Sequence, residues 1–322
     1  MPMKPWLARR LPFLLVVTAA ATLCSALAEL NWFLELFSHF TPYYVVAALL
    51  LALIFGVLGR YRYAGAALAL TAANGVLIAL AFTPPKLPAP GPAGTQLTIF
   101  HFNVGFRHSD VGRVIAHVLA HAARYDVVVL IEAGTAWERE IEKLETAFPY
   151  TLRALDDTPF GLAVFTKKKP AAATLVEAPP GYKRAEVRLV IDGRALTVYA
   201  IHPPPPIDAQ LAADRNESLM RVARAVAAER TPAVIVGDLN LTPYSPYFRK
   251  LGEVAGVQPA RAQTFPRPTW PTPLANAWLG IPIDHSFVSR DIAVAAHEIG
   301  PDLGSDHLPV TLTVVLPAQR GR

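Results

Sequence analysis

VIVGDLNLTP, residues 234–243, sets the reading of this chain. A β-branched apolar run of the kind that fills a buried strand stops abruptly, and Asp238 and Asn240 follow two positions apart. In an extended chain such residues point to one face, so an acceptor-only carboxylate and a donor–acceptor carboxamide project together. Gly, Asp and Asn also favour turns, so the decapeptide alone leaves a capped strand end open.

Working outward, the same punctuation recurs. QLTIFHFN reads as a strand ending in Asn103, DVVVLIE as a buried strand ending in Glu132, and GLAVFT as a third strand over 161–166. AEVRLVI and RALTVYAIH flank Asp192-Gly193, a type I′ hairpin signal, and the second of them ends in His202. IDHSFVS and HLPVTLTVVL add strands that begin beside Asp284 and His307. Ser109 and Asp110 offer an N-cap for a helix to about Arg124, and a second long helix runs from Asp208 to Glu229. Many strands and few long helices predict two mixed sheets packed face to face with helices outside. The chemistry-bearing residues Asn103, Glu132, His202, Asp238, Asn240, Asp284, Asp306 and His307 all sit at strand ends, where α/β proteins build sites.

The rest of the chain differs in composition. Of 322 residues, 52% are hydrophobic and 17% charged, and the apolar excess lies in residues 11–82. Three apolar segments, 11–28, 43–58 and 64–82, approach the ~20 residues a membrane-spanning helix needs. Lys4, Arg9 and Arg10 precede the first and Arg60 and Arg62 separate the last two, whereas residues 29–41 contain no Lys or Arg. By the positive-inside rule, everything after Phe82 is expected outside the cytoplasm. A cleaved signal peptide ending at SALA is the rival reading of the first segment, with the same outcome. The cluster PPKLPAPGP reads as a stiff linker. The expected organisation is a transmembrane anchor over 1–83, a Pro-rich linker over 84–96 and a globular domain over 97–318. Cys24 is the one cysteine, so an internal disulfide is excluded. The formal charge of +5 and pI near 9.3 point mildly to anionic partners.

The strand-end set holds carboxylates, carboxamides and histidines, without a Walker loop or an HExxH signature. Oxygen-rich donors without thiolates favour Mg²⁺ or Mn²⁺ over zinc. The constellation points to metal-assisted phosphoester hydrolysis. His117 and His121, four apart on a helix, have no evident third ligand and read as a solvated face, and Lys167–Lys169 reads as a charged turn.

Six motifs in order, Phe102-Asn103, VLIE ending in Glu132, Ile201-His202, GDLN, Ile283-Asp284-His285 and SDHLPV, resemble the endonuclease/exonuclease/phosphatase (DNase I-like) superfamily. Within it, the anchor makes the chain similar to bacterial membrane-anchored members of the teicoplanin-resistance type. The resemblance implies a four-layered α/β/β/α sandwich behind a three-helix transmembrane anchor, and a divalent metal. Carried over, Glu132 resembles the principal metal ligand, with Asn103 and Asp306 nearby. Asp238 and Asn240 resemble the pair that orients the attacking water and holds the phosphate, and His307 resembles the catalytic histidine supported by Asp284. His202 resembles the second histidine, with Glu186 as an acidic partner. Arg215 and Trp270 are candidate substrate contacts, Thr269-Trp270 shaping the pocket rim. Ile131 stands where relatives carry glutamine. The expected function is a membrane-anchored phosphoesterase of a lipid-linked or headgroup phosphate on the periplasmic side of a bacterial inner membrane, with the bilayer as partner and no protein partner implied. The alternatives are an extracytoplasmic nuclease acting on DNA or RNA, and an inactive binding module.

Overall fold

The computed structural model describes residues 5–82, 84–91, 94–107, 110–177, 179–229, 231–261 and 267–316. The chain forms two units, Met1–Thr83 with Leu241–Arg249, and Pro84–Asn240 with Lys250–Arg322. Ser109, Thr83 and the end of the domain beyond Leu316 lie outside the described residues.

The first unit is helical: α1 (Pro5–Ala26), α2 (Trp32–Ser38), α3 (Thr41–Val57) and α4 (Tyr61–Ala81). Leu11, Leu15, Leu51, Phe55 and Ala67 form an apolar cluster that joins α1, α3 and α4, and polar contacts add to it. Ser25 Oγ and Thr41 Oγ1 lie 2.8 Å apart between α1 and α3, and Asn74 Nδ2 donates to Thr22 Oγ1 at 2.8 Å between α4 and α1. The expectation of three spans is corrected. Among the described residues α4 alone is long and apolar enough to cross a membrane, and α2 with α3 qualifies only as one span bent by 59°. The apolar part of α1, Arg10–Ala26, is shorter than a span. α2 was not foreseen at all, since residues 29–41 read as a loop. Asn31 starts it, its side chain accepting from Phe33 N. The nine residues Leu241–Arg249 belong to this unit, where Thr242 Oγ1 lies 3.0 Å from His39 Nδ1 and Ser245 Oγ donates to buried Glu35.

The second unit contains, in order, β1 (Thr95–Asn103), α5 (Val111–Ala120), β2 (Val127–Ile131), α6 (Glu138–Ile141), β3 (Tyr150–Ala154), β4 (Leu162–Thr166), β5 (Ala172–Glu177), β6 (Lys183–Ile191), β7 (Arg194–Ala200), α7 (Ala209–Ala228) and β8 (Ala233–Asp238). There follow α8 (Pro246–Ala255), which starts in the helical unit, β9 (Val257–Pro259), α9 (Thr272–Asn276), β10 (Asp284–Ser289), β11 (Ala293–Ile299) and β12 (Val310–Leu316). Two six-stranded sheets form, ordered β11-β12-β1-β2-β4-β3 and β5-β6-β7-β8-β10-β9. β1 and β2 are parallel, as are β7 and β8, and the other pairs are antiparallel.

Period-two alternation builds the layers. Ile99, Val129, Ile131, Val198, Val234, Val236 and Val314 point between the sheets into one core. Phe100, Phe102, Val128 and Leu130 point the other way and are covered by Val114, Val118 and Ile141 of α5 and α6. Tyr199, Ile235 and Phe287 are buried outside the inter-sheet core, so the outer face of the second sheet is covered too. Leu219, Val222, Ala223 and Val226 form the buried stripe of α7 suited to that cover. Each such side chain contributes about 1.5–3 kcal/mol on leaving water.

Several boundaries move. β7 stops two residues before His202, and α5 stops at Ala120 with a turn to Arg124. Asp110 caps α5 by accepting from Arg113 N. Asp192 and Gly193 take left-handed φ of 51° and 76°, as a type I′ turn requires. The Pro-rich stretch is not a free spacer. Gln258 Oε1 accepts from Lys86 N at 2.8 Å, and Leu87 packs on the inter-sheet core.

Candidate active site

Topology gathers the strand ends. Parallel β1 and β2 finish at one edge with Asn103 and Glu132, and antiparallel β12 begins there behind Ser305–His307. In the second sheet His202 follows two residues after the end of β7, β8 finishes with Asp238, and β10 begins with Asp284 directly opposite Asp238. Asn103 joins the sheets: its Nδ2 donates to Glu132 Oε1 at 2.9 Å and to Asp238 Oδ2 at 3.1 Å. Ser305 Oγ donates to the Asn103 carbonyl at 2.8 Å and accepts from His307 N at 3.0 Å, drawing the last motif onto β1.

Two of the gathered residues hold left-handed backbone without being glycine, Glu132 at φ 63° and Asn240 at φ 51°. Such strain concentrates where side chains must be aimed. Asp238 Oδ1 accepts from Asn240 N at 2.9 Å, and Asn240 Nδ2 donates to the Pro203 carbonyl beside His202. Gly237 carries no side chain because a Cβ would strike the Ile201 carbonyl, so β7 and β8 approach closely enough for His202 to face Asp238. Ile131, in place of glutamine, packs in the core and borders that Gly237 position.

Electrostatics follow from burial. Asp238 lies 3.7 Å from both His202 Nδ1 and His307 Nε2. Burial pushes its carboxyl up and Asp284 adds to the rise, against the pull of the two histidines. Burial by itself would lower His307, but Asp284 Oδ2, 2.9 Å from Nδ1, and Asp238 hold it above its ordinary value. His202 behaves alike: burial opposes protonation, and Glu132 and Asp238 outweigh it. Its Nε2 lies 3.2 Å from Glu132 Oε1, an ion-pair distance without hydrogen-bond alignment. Burial would raise Glu132, yet His202, Asn103 and Phe106 N hold it down at about 2.

The structure bears on three further expectations. Arg215 is no substrate contact. It is fully buried, its guanidinium held by Asn216 Oδ1 and its Nη1 donating to the Asn240 carbonyl at 3.3 Å. Glu186 does not serve His202. It pairs across the sheet with Tyr199, three residues before His202, and accepts from Arg184 Nε at 2.7 Å. Trp270 does more than line a rim, since its Nε1 donates to Asp306 Oδ2 at 3.1 Å and its ring lies 6.4 Å from that of His307. Thr269, expected with Trp270 at the pocket rim, is buried, and its hydroxyl accepts from Ile283 N and Asp284 N at 3.2 Å. His117 stacks on His121 at 4.4 Å.

The family model for the endonuclease/exonuclease/phosphatase family matches residues 100–307. The chain belongs to this family. Its members are metal-dependent hydrolases of phosphoester bonds, and this chain is a hydrolase of that class. Among solved structures, it is similar to an endonuclease/exonuclease/phosphatase from Beutenbergia cavernae, with 23% identity over 69% of this chain and 72% of that one, TM-score 0.55. A humanised TDP2 of D. rerio shares 19% over 68% of this chain and 98% of its own, TM-score 0.57. Sphingomyelinase C from Streptomyces griseocarneus shares 15% over 69% and 100%, TM-score 0.51. At these identities the likeness carries the fold. Comparison with curated protein sequences gives no match.

The donor set suits a hard divalent cation. It offers carboxylate and carboxamide oxygens and no thiolate. Asp238, Asp284 and His307 bring ligand atoms within 4.8 Å of one another, and the buried Asp284 Oδ1 has no hydrogen-bond partner among the described residues.

Proposed function

We propose that the chain is a membrane-anchored phosphoesterase whose substrate is a lipid-linked or headgroup phosphate on the extracytoplasmic side. The observation that carries this reading is one polypeptide joining a family phosphoesterase domain to apolar helices, one long enough to span a bilayer. The absence of Lys and Arg between α1 and α3 supports the outward orientation of the domain.

Glu132, with Asn103 and Asp306 beside it, would hold Mg²⁺ or Mn²⁺. Asp238, Asp284 and His307 act on the water and the phosphoryl group and not as ligands of the ion, because His307 Nδ1 is already engaged by Asp284. The ion, when bound, supplies positive charge against the developing negative charge of the phosphoryl group. Asp238, with its raised pKa, orients the attacking water and takes its proton, while Asn240 holds the phosphoryl oxygens. His202 protonates the leaving oxygen, and the His307 imidazolium, fixed by Asp284, stabilises the phosphoryl charge.

The test uses full-length protein in liposomes, supplied with phospholipid, isoprenoid pyrophosphate or DNA. Chelation is expected to abolish turnover and Mg²⁺ or Mn²⁺ to restore it. Glu132→Ala, Asp238→Ala and His307→Ala should each lower kcat by roughly 10²-fold or more. Near-normal rates in all three folded variants would refute the site. A D. rerio TDP2 structure contains a single-strand DNA product, which keeps a nuclease as the second reading. Efficient DNA cleavage without turnover of either lipid would establish that reading instead.

A further inference from the structure

Between Arg267 and Asp284 the chain runs for 16 residues, PTWPTPLANAWLGIPI, without an ionisable side chain. This stretch closes on itself. Trp270 and Ile281 form an antiparallel bridge, with Ile281 N donating to the Trp270 carbonyl at 2.6 Å and Trp270 N to the Ile281 carbonyl at 3.1 Å. Between these ends the tip turns its apolar residues outward. Leu274 is 47% exposed, Trp278 61% and Leu279 57%.

Ordinarily an exposed Leu needs no explanation, but three large apolar residues within six positions form a patch. The backbone is also fixed to present them. Trp278 takes φ 61°, uncommon for a bulky residue. Its N–H donates to the Ala275 carbonyl at 3.0 Å, and Leu279 N donates to the Leu274 carbonyl at 2.7 Å. A loop free to collapse would bury the indole and shed the strain. The base is tied to the site: Thr272 N donates to the Asp306 carbonyl at 2.7 Å, Thr272 Oγ1 to the Ser305 carbonyl at 2.8 Å, and Trp270 to the Asp306 carboxylate.

Cationic charge lies beside the tip. The Arg267 guanidinium stands 5.8 Å from the centre of the Trp278 ring, and its Nε has no hydrogen-bond partner among the described residues. Indole with leucine beside a guanidinium matches the boundary between acyl chains and anionic headgroups, where Trp concentrates and Arg is drawn to negative charge.

We propose that residues 271–280 form a docking element that inserts Leu274, Trp278 and Leu279 into an anionic lipid surface and seats the Asp306–His307 edge of the site on it. The proposal deepens the lipid reading given above and rests on it for the identity of the substrate, though not for the binding event. Because the tip is held in its exposed form before contact, little ordering entropy opposes insertion.

The experiment compares wild type, Trp278→Phe, Arg267→Gln and the pair Trp278→Ser with Leu279→Ser, all full-length, in liposomes of phosphatidylcholine with or without phosphatidylglycerol. Quenching by brominated lipid is expected to show a component in wild type that Trp278→Phe lacks. The double serine variant should lose about tenfold or more of kcat/KM on a lipid-embedded phosphodiester while retaining its rate on a water-soluble aryl phosphodiester. Trp278→Phe should keep most of both, and Arg267→Gln should erase the preference for anionic vesicles. Equal loss on both substrates would mean that the tip only supports the fold, and overturn the proposal. So would unchanged vesicle turnover with no Trp278 quenching, or a particle mass in detergent that halves in the serine variant, which would make the tip an interface between copies. Trp278 quenching without turnover of any lipid would uphold docking while refuting the lipid substrate.

Discussion

Arg215 places its guanidinium where water does not reach: Asn216 binds two of its nitrogens and the Asn240 carbonyl, 25 residues on, binds a third. A buried cation of this kind is tolerated only when it is hydrogen-bonded, so its place is structural support behind Asn240 rather than contact with substrate. His101 shows the same economy with the opposite charge state. It is buried, its Nε2 lies 3.1 Å from Ser286 Oγ, and burial lowers its pKa to about 4, the pull of Asp284 notwithstanding. A histidine whose folded pKa lies below its unfolded value takes up its proton in the unfolded chain first. Stability is therefore complete above pH 6.5 and falls as pH drops toward 4, by up to about 3 kcal/mol. Denaturation of wild type and His101→Asn at pH 7 and pH 4.5 measures this, and the variant should lose less on acidification. Parallel losses would show that His101 does not contribute to acid lability.

At the scale of elements, the site is a property of strand direction. Two parallel pairs and the antiparallel strands beside them bring six chain segments to one edge, and none of the strand-end site residues lies on a helix. Close approach of β7 to β8 depends on Gly237, which adopts φ 145° with the Ile201 carbonyl against it. Gly237→Ala must separate the strands or distort them, and should cost about 3 kcal/mol or more. Circular dichroism melts check this: a midpoint within a few degrees of wild type would show that the approach is not needed. The Thr269 hydroxyl, by contrast, is within reach of the start of β10 only because the chain bridges Trp270 to Ile281.

For the whole molecule, charge asymmetry leads us to expect the phosphoesterase domain outside the cytoplasm. Alkaline phosphatase fused after Arg322 should be active, and green fluorescent protein fused there should stay dark. A bright, phosphatase-inactive pair would reverse the topology. The helical unit itself departs from three simple spans. α2 meets α3 at 59°, and the nine residues after Asn240 join this unit and not the sheets. Polar Glu35 and His39 are buried there against Ser245 and Thr242, pairings across some two hundred residues of sequence.

What the sequence determined by itself was local and periodic. Runs such as VIVGD and DVVVLI specify buried strands, Asp192-Gly193 specifies its turn, and six short motifs in order identify the family, because each depends on neighbours within a few residues. The strand-end residues Asn103, Glu132, His202, Asp238, Asn240, Asp284, Asp306 and His307 were legible for that reason. The folded chain alone decided which of them touch: that Asn103 bridges Glu132 and Asp238, that Arg215 faces inward, that Glu186 answers Arg184, and that Trp270 holds Asp306. Those outcomes depend on sheet register and on which face of a helix is covered, and register is fixed by contacts between segments far apart in the chain.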